Sequence, residues 1–272
     1  MKICFVIPTY NDEISLKELV KNINKELKNF ILHFIIVDDC SEDDYLSISN
    51  FQKIDLIKLK KNQGSQNAIS KGLKYVKDKN LEFDYLIVMD SDGEDRPNDL
   101  KLLISEAIRK NDNSIIFASR GKRLEIFTFK FFYFFYKLIF RISTGKKINF
   151  GNFSCIPKKF LGEVTKISFL NLHFAAGIIK SNLPYSDIKC DKGPRYAGDS
   201  KMSFKNLFIH GFKAFSIFLK EIVIRYLIFI CLVNIILFLT LDFIIILKLN
   251  LLLLLFAMPL LIYLYRLQKL KK

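Results

Sequence analysis

Among the 272 residues there is no tryptophan, and no two cysteines stand as C-x-x-C. The five cysteines, Cys4, Cys40, Cys155, Cys190 and Cys231, are odd in number and widely scattered. That spacing argues against a structural zinc site and a disulfide framework, and it points to a reducing compartment. The amino terminus lacks the long apolar core of a secretory signal. "MKICFVIPTYNDE" reaches Asn11, Asp12 and Glu13 at once, so the N-terminal domain is expected to stay in the cytoplasm. No glycine follows the first apolar run, where "PTYND" stands, so a G-x-G-x-x-G dinucleotide loop is excluded there. Acidic residues are the minority charge: 27 Asp and Glu against 42 Lys and Arg leave a net +15. A basic surface favours nucleic acid, anionic lipid or phosphorylated substrates, although a Lys-, Ile-, Asn- and Phe-rich composition also reflects genome base content. The cations are spread along the chain and gather partly beside its apolar C-terminal stretches, so nucleic acid is not expected as a partner. Hydrophobic residues make up 51% of the chain and mean hydropathy is +0.22, which places part of it in lipid.

Short apolar runs alternate with amphipathic stretches. Residues 3–7, 34–37, 54–59, 85–89 and 115–118 read as buried strands. Leu16, Leu19, Val20, Ile23 and Leu27 share one helical face, with Asn11 or Asp12 as cap. Ile69, Leu73 and Val76 mark a second helix, with Ser65 as cap; Leu100, Leu103, Ile104 and Ile108 mark a third. Repeated strand–helix–strand units predict a mainly parallel sheet covered on both faces, with ligands at the carboxyl ends of its strands. "FTFKFFYFFYKLIF", from Phe127, carries Lys130 and Lys137 and is too short to span a bilayer. It reads as a helix at the membrane surface or beneath a membrane-facing site, with an ordinary core helix as the alternative. From Ile222 to Tyr265 the chain is almost continuously apolar, enough for two spans of about 20 residues. The turn is expected between Asp242 and Asn250, near Lys248. Lys213, Lys220 and Arg225 flank the entry to the spans, and Arg266, Lys269, Lys271 and Lys272 the exit, which predicts that both ends lie in the cytoplasm. The expected organisation is an α/β domain over 1–200, an interfacial helix over 201–221, and a membrane hairpin with a basic tail over 222–272.

At the end of the fourth strand, "YLIVMDSDGEDRPNDL" brings Asp90, Asp92, Glu94, Asp95 and Asp99 together. Crowded carboxylates need positive charge among them. An Asp-x-Asp at a strand end suits Mg2+ or Mn2+, which share their shell between carboxylates and substrate phosphates, so a diphosphate ligand is predicted. A solvated acidic loop is the competing reading. The same stretch resembles the nucleophile strand of haloacid-dehalogenase-type phosphatases. Those usually carry the motif on their first strand with Thr or Val after the glycine; here it is on the fourth, and Glu94 follows.

"VIPTYNDEISL" at 6–16, "IIVDDCSEDD" at 35–44, "NQGSQNAISKGL" at 62–73 and "VMDSDGEDRPNDL" at 88–100 resemble four consecutive motifs of family 2 glycosyltransferases. "ASRGKR" at 118–123, "GNFSCIPKK" at 151–159 and "RYAGDSKMSF" at 195–204 resemble later motifs of the polyprenyl-phosphate branch, which includes dolichyl-phosphate mannose synthases and bacterial undecaprenyl-phosphate enzymes. The resemblance implies an α/β/α sandwich of the GT-A type with a C-terminal two-helix transmembrane hairpin. It implies that Pro8, Tyr10, Asp12, Asp39, Gly64 and Asp90 bind the nucleotide sugar, and that Asp90, Asp92 and Glu94 hold Mg2+ or Mn2+. Arg120, Arg195 and Lys201 would bind phosphate of the acceptor or the departing nucleotide, with Asp92 beside them in the catalytic set.

The chain departs from the family pattern in places. Asp12 stands where Glu is usual, and Glu94 where Gln is more frequent. Cys40 replaces a glycine in the D-D-G-S motif, so its backbone is expected to avoid positive φ. Ser154 occupies the place of an arginine, whose phosphate contact would come from Arg123 or Lys158. Without tryptophan there is no Q-x-x-R-W motif, which favours one sugar per cycle.

The implied reaction is transfer of one sugar, with inversion, from a UDP- or GDP-linked donor to a polyprenyl phosphate at the bilayer surface. A phosphate acceptor needs no protein base, whereas a sugar hydroxyl needs one; Glu163, Asp187 and Asp191 are the nearest candidates, and none sits in a recognisable base motif. Two rivals stay open: a membrane-attached transferase acting on a glycan hydroxyl, and a catalytically inactive membrane scaffold. The oligomeric state is left open, a homo-oligomer included.

Overall fold

The computed structural model describes residues 1–42, 53–120, 127–198, 204–238 and 243–269. The chain divides into two compact units, Met1–Leu124 with Asn149–Lys201, and Glu125–Ile148 with Met202–Lys272.

In the first unit, β1 (Lys2–Thr9), β2 (Ile31–Asp38), β3 (Ile54–Lys58), β4 (Tyr85–Val88), β5 (Ile115–Arg120), β6 (Phe150–Pro157) and β7 (Tyr185–Cys190) form one sheet among the described residues, in the order β3-β2-β1-β4-β6-β5-β7. All pairings are parallel except those of β6, which runs against β4 and β5. The five strands read from the sequence are present. β6 and β7 are additions, and β6 makes the sheet mixed.

The helices α1 (Glu13–Glu26), α2 (Ser65–Asp78) and α3 (Leu100–Arg109) follow β1, β3 and β4. Leu16, Leu19, Val20 and Ile23 of α1, with Leu27 just beyond it, pack with Leu100, Leu103, Ile104 and Ala107 of α3 over Phe5, Phe34 and Ile87 of the sheet. This stripe at helical spacing is the main core. Ile108, expected on this face, is exposed; the buried face of α3 runs Leu100, Leu103, Ile104 and Ala107, at i, i+3, i+4 and i+7. α2 covers the other face through Ala68, Ile69, Leu73 and Val76. The expected cap of α2 is corrected. Gly64, with φ +85°, is the N-cap of α2, and Ser65 is its first helical residue. Asp12 is the N-cap of α1 but makes no side-chain cap bond; its Oδ2 accepts from Ser91 Oγ at 3.0 Å. Beyond β6 lie α5 (Leu161–Val164) and α6 (Phe174–Ser181).

The second unit holds α4 (Phe127–Thr144), α7 (Phe204–Ile217), α8 (Leu219–Phe238) and α9 (Phe243–Lys269). Phe140 of α4 is fully buried against Phe215 and Phe218. Phe134, Leu138, Ile139 and Ile142 of the same helix are exposed apolar residues, which an ordinary core helix does not show. α8 and the stretch Ile244–Lys269 are long and apolar enough to cross a membrane, by length and composition. The turn between them is not between Asp242 and Asn250. α9 already runs from Phe243, so Lys248 and Asn250 are helical; residues 239–242 lie outside the described residues. Asn250 tolerates a helix interior because Asn234 of α8 faces it: each amide donates to the other, at 3.0 and 2.6 Å.

Candidate active site

Because β1, β2 and β4 are parallel, their carboxyl ends share one rim, and the loops leaving them meet there. Pro8 is buried just before Thr9 ends β1, and Tyr10 beyond is exposed. Asn11 takes φ +45° and ties the first loop to the second: its N–H donates to Ser41 Oγ at 2.8 Å, and its Oδ1 accepts from Glu42 N at 2.9 Å. Asp38, fully buried, accepts from Ser41 N at 2.9 Å. Cys40, expected to avoid positive φ, has φ +68°. The tight turn requires the left-handed region whatever residue stands there, and these side-chain to backbone bonds hold it.

Asp39 is buried and grips the third loop: Oδ1 accepts from Gln63 N at 2.8 Å and Oδ2 from Gly64 N at 2.6 Å. Burial raises its pKa above the ordinary carboxylate value, against the lowering effect of those two N–H donors. Asp39 therefore positions Gly64 directly, a role its sequence motif does not announce.

In the fourth loop, Asp90 N donates to Asp95 Oδ2 at 3.0 Å, and Asp90 Oδ1 accepts from Asn152 Nδ2 at 3.3 Å. Asp92 Oδ1 accepts from Glu94 N at 2.9 Å, and Oδ2 pairs with Arg195 Nη1 at 2.6 Å. Glu94 pairs with Lys192 Nζ at 2.6 Å. Desolvation is the main force raising the Asp92 pKa; the neighbouring Glu94 charge adds to it, while the Glu94 N–H, Arg195 and Lys192 oppose it. The cations that make this crowding tolerable come from one segment after β7. The same segment docks through its backbone, Tyr196 N to Asp92 O at 3.0 Å and Gly193 N to Glu94 O at 2.9 Å. Gly93 has φ +85°, and a Cβ there would lie 2.5 Å from the Tyr196 ring, so only glycine fits. Arg96 forks onto buried Asp99 at 3.0 and 2.9 Å. Lys192 and this docking were not among the expected site features.

Other candidates lie elsewhere. Lys158 N bonds Asp84 O and its Nζ pairs with Glu82 at 3.3 Å. Since Asp84 precedes β4 and Asp90 follows it, Lys158 stands at the opposite edge of the sheet and does not replace a phosphate-binding arginine. The cause is the antiparallel course of β6; Glu163 lies beyond that strand on α5. Asp187 is an exposed mid-strand residue of β7, and Asp191 follows that strand at the same end as Arg120. Arg120 ends β5; Lys201 and Arg123 lie outside the described residues.

Asp90, Asp92 and Glu94 offer only oxygen donors, the set that a hard divalent cation takes. Among the described residues no three acidic, histidine or cysteine side chains converge as a ready cluster. A cation's shell here would therefore depend on diphosphate oxygens as well as on protein.

Comparison with known proteins agrees with this geometry. The model described as glycosyl transferase family 2 matches residues 4–167. Dolichol-phosphate mannosyltransferase of Pyrococcus furiosus is 32% identical over 124 residues, 44% of this chain and 33% of that protein. Undecaprenyl-phosphate 4-deoxy-4-formamido-L-arabinose transferase of Enterobacter sp. is 24% identical over 234 residues, 76% of this chain and 64% of that protein. The chain thus spans from about a third to under two thirds of the length of these relatives. Among solved structures, glucosyl-3-phosphoglycerate synthase from Mycobacterium tuberculosis, crystallised with Mn2+ and uridine diphosphate, superposes with a TM-score of 0.59 at 11% identity, covering 81% of this chain and 79% of that one. That likeness shows the GT-A fold. By its matched motifs and its fold, this chain belongs to glycosyl transferase family 2 and is related to polyprenyl-phosphate sugar transferases.

Proposed function

We propose that the chain transfers one sugar from a nucleotide diphosphate donor to a polyprenyl phosphate at a membrane surface. The observation that carries this reading is the rim where Asp92 and Glu94, two and four residues after Asp90, pair with Arg195 and Lys192, a set matched to a diphosphate with its cation. Pro8, Tyr10, Asp12, Asp39 and Gly64 belong to the loops that would surround the nucleotide. Asp90, Asp92 and Glu94 would hold Mg2+ or Mn2+, which when bound supplies neutralisation of charge on the leaving diphosphate. Arg195, held by Asp92 at this rim, is the arginine placed to bind a phosphate oxygen. Arg120 and Lys201 complete the proposed phosphate-binding set.

In the reaction an acceptor phosphate oxygen forms a bond to the anomeric carbon as the bond from that carbon to the donor's diphosphate oxygen breaks. The nucleoside diphosphate leaves with the electron pair, and the configuration inverts. The acceptor oxygen is already anionic near neutral pH, so no side chain need take a proton.

The second unit supports the lipid acceptor. It carries 14 of the 42 Lys and Arg but 3 of the 27 Asp and Glu, a net of +11, beside two helices able to span a bilayer. Cations flanking both ends of the hairpin favour a multi-pass arrangement with both termini cytoplasmic. Under this reading residues 1–200 are catalytic, 201–221 interfacial and 222–272 the hairpin with its tail. Radiolabelled nucleotide sugars, supplied with purified polyprenyl phosphate and Mn2+, test the proposal: it predicts a chloroform-soluble sugar monophosphate. Label appearing only in glycan would overturn it.

A further inference from the structure

We infer that Gln66 and Asn152 are positioning residues, forming a one-way hydrogen-bond relay from the amino end of α6 to the carboxylate of Asp90. Phe174 N, in the first turn of α6, donates to Gln66 Oε1 at 2.5 Å. Gln66 Nε2 donates to Asn152 Oδ1 at 3.1 Å, and Asn152 Nδ2 donates to Asp90 Oδ1 at 3.3 Å. Gln66 comes from α2, Asn152 from β6 and Asp90 from the end of β4, so the relay joins four elements of one unit.

The direction of the relay follows from its ends. A backbone N–H can only donate, and an ionised carboxylate can only accept. Both amides between them must therefore present oxygen toward α6 and nitrogen toward Asp90. Gln66 is 6% exposed, so it has little water to fall back on if its partner turns. Bonds aligned head to tail polarise one another, and the chain starts at a helix amino end, where partial positive charge resides. The relay thus fixes the orientation of the Asp90 carboxylate. It leaves Arg195 and Lys192 to Asp92 and Glu94. Neither Gln66 nor Asn152 reads as a site residue from sequence; one stands on a helix and the other on a strand whose contact is visible only in three dimensions.

Gln66→Glu tests the direction with a near-isosteric change. The introduced carboxylate still accepts from Phe174 N but cannot donate to Asn152. The Asn152 amide must turn to donate to that carboxylate, which puts its own oxygen against the Asp90 carboxylate. Asp90→Asn then supplies a donor, and the relay can run with reversed polarity from Asn152 onward. The measurement is the thermal unfolding midpoint of the full chain in detergent for the wild type, both single variants and the double. Gln66→Glu is expected to lower the midpoint by about 3–6 °C, and Asp90→Asn added to it to recover at least half of that loss. Shifts that simply add would overturn the relay. If Gln66→Glu does not fold, Asn152→Asp with Asp90→Asn forms an equivalent cycle from the next link, with the same expected recovery.

The activity arm rests on the proposed transferase reading. Gln66→Glu alone is expected to cut turnover about 10- to 100-fold and to raise the Mn2+ concentration for half-maximal rate. An unchanged Mn2+ dependence would overturn the positioning role. Wild-type protein without turnover would count against the transferase reading only, since the thermal cycle decides the relay by itself.

Discussion

Gly93 is the place where a single methyl group should separate the fold from its site. It stands between Asp92 and Glu94 at φ +85°, and a Cβ would meet Tyr196 Cδ2 and Cε2 at 2.5 Å. Alanine in this left-handed region costs about 1–2 kcal/mol. The overlap is roughly 1 Å inside normal carbon–carbon contact, and overpacking of that kind costs about 1–3 kcal/mol. Tyr196 cannot yield freely, because its ring packs on the core cluster and its N–H holds Asp92 O at 3.0 Å. Gly93→Ala should therefore lose about 3 kcal/mol, a fall of roughly 6–12 °C in the unfolding midpoint. Sugar transfer should drop at least about 10-fold, as Asp92 and Glu94 move with the loop. In a Tyr196→Ala background the overlap is gone and only the backbone strain remains, so the same substitution should cost about 1–2 kcal/mol. Thermal unfolding of the four proteins measures the difference. An equal cost in both backgrounds would refute the assignment of the strain to the Tyr196 contact.

Cys40→Gly should not destabilise: release of about 1 kcal/mol of left-handed strain is offset by a similar or smaller gain in unfolded-state entropy, and a loss above that by thermal unfolding would contradict the reading. Asn234→Leu strips Asn250 of its amide partner and should cost about 0.6–1.7 kcal/mol in mixed-micelle unfolding, whereas the double Leu variant should recover part of it. Burial, helped by the Lys213 charge, depresses the His210 pKa from 6.5 to about 4. The unfolded chain then binds a proton that the folded chain refuses, so stability should fall as pH drops from 6.5 toward 4, by at most about 1.4 kcal/mol per pH unit. His210→Gln should flatten that slope in a pH series of unfolding midpoints.

What the sequence revealed was what local pattern controls. Five strands and three helices were legible because Phe5, Phe34 and Ile87 lie in unbroken apolar runs and Leu16 to Leu27 keep a helical stripe. β6 and β7 were missed because "FGNFSCIP" and "YSDIKC" alternate weakly, and their strand state depends on β4 and β5 as partners. Ser65 looked like a cap by type, but Asp39 already holds Gly64 N, so the helix starts from Gly64. The acidic motif was legible; its neutralisers Arg195 and Lys192 sit far along the chain from Asp92 and Glu94, and only Arg195 belongs to a recognised motif. Asp39, Gln66 and Asn152 act through contacts between distant segments, which no spacing rule encodes.

The central claim is that the carboxylates at the sheet's rim bind a nucleotide sugar through a divalent cation. Titration calorimetry of the full chain with UDP- and GDP-linked hexoses at saturating Mn2+ tests it most directly. Heat of binding is expected for at least one donor, abolished by chelator and by Asp92→Asn. No binding to any of these donors with Mn2+ present, or equal binding after Asp92→Asn, would contradict it.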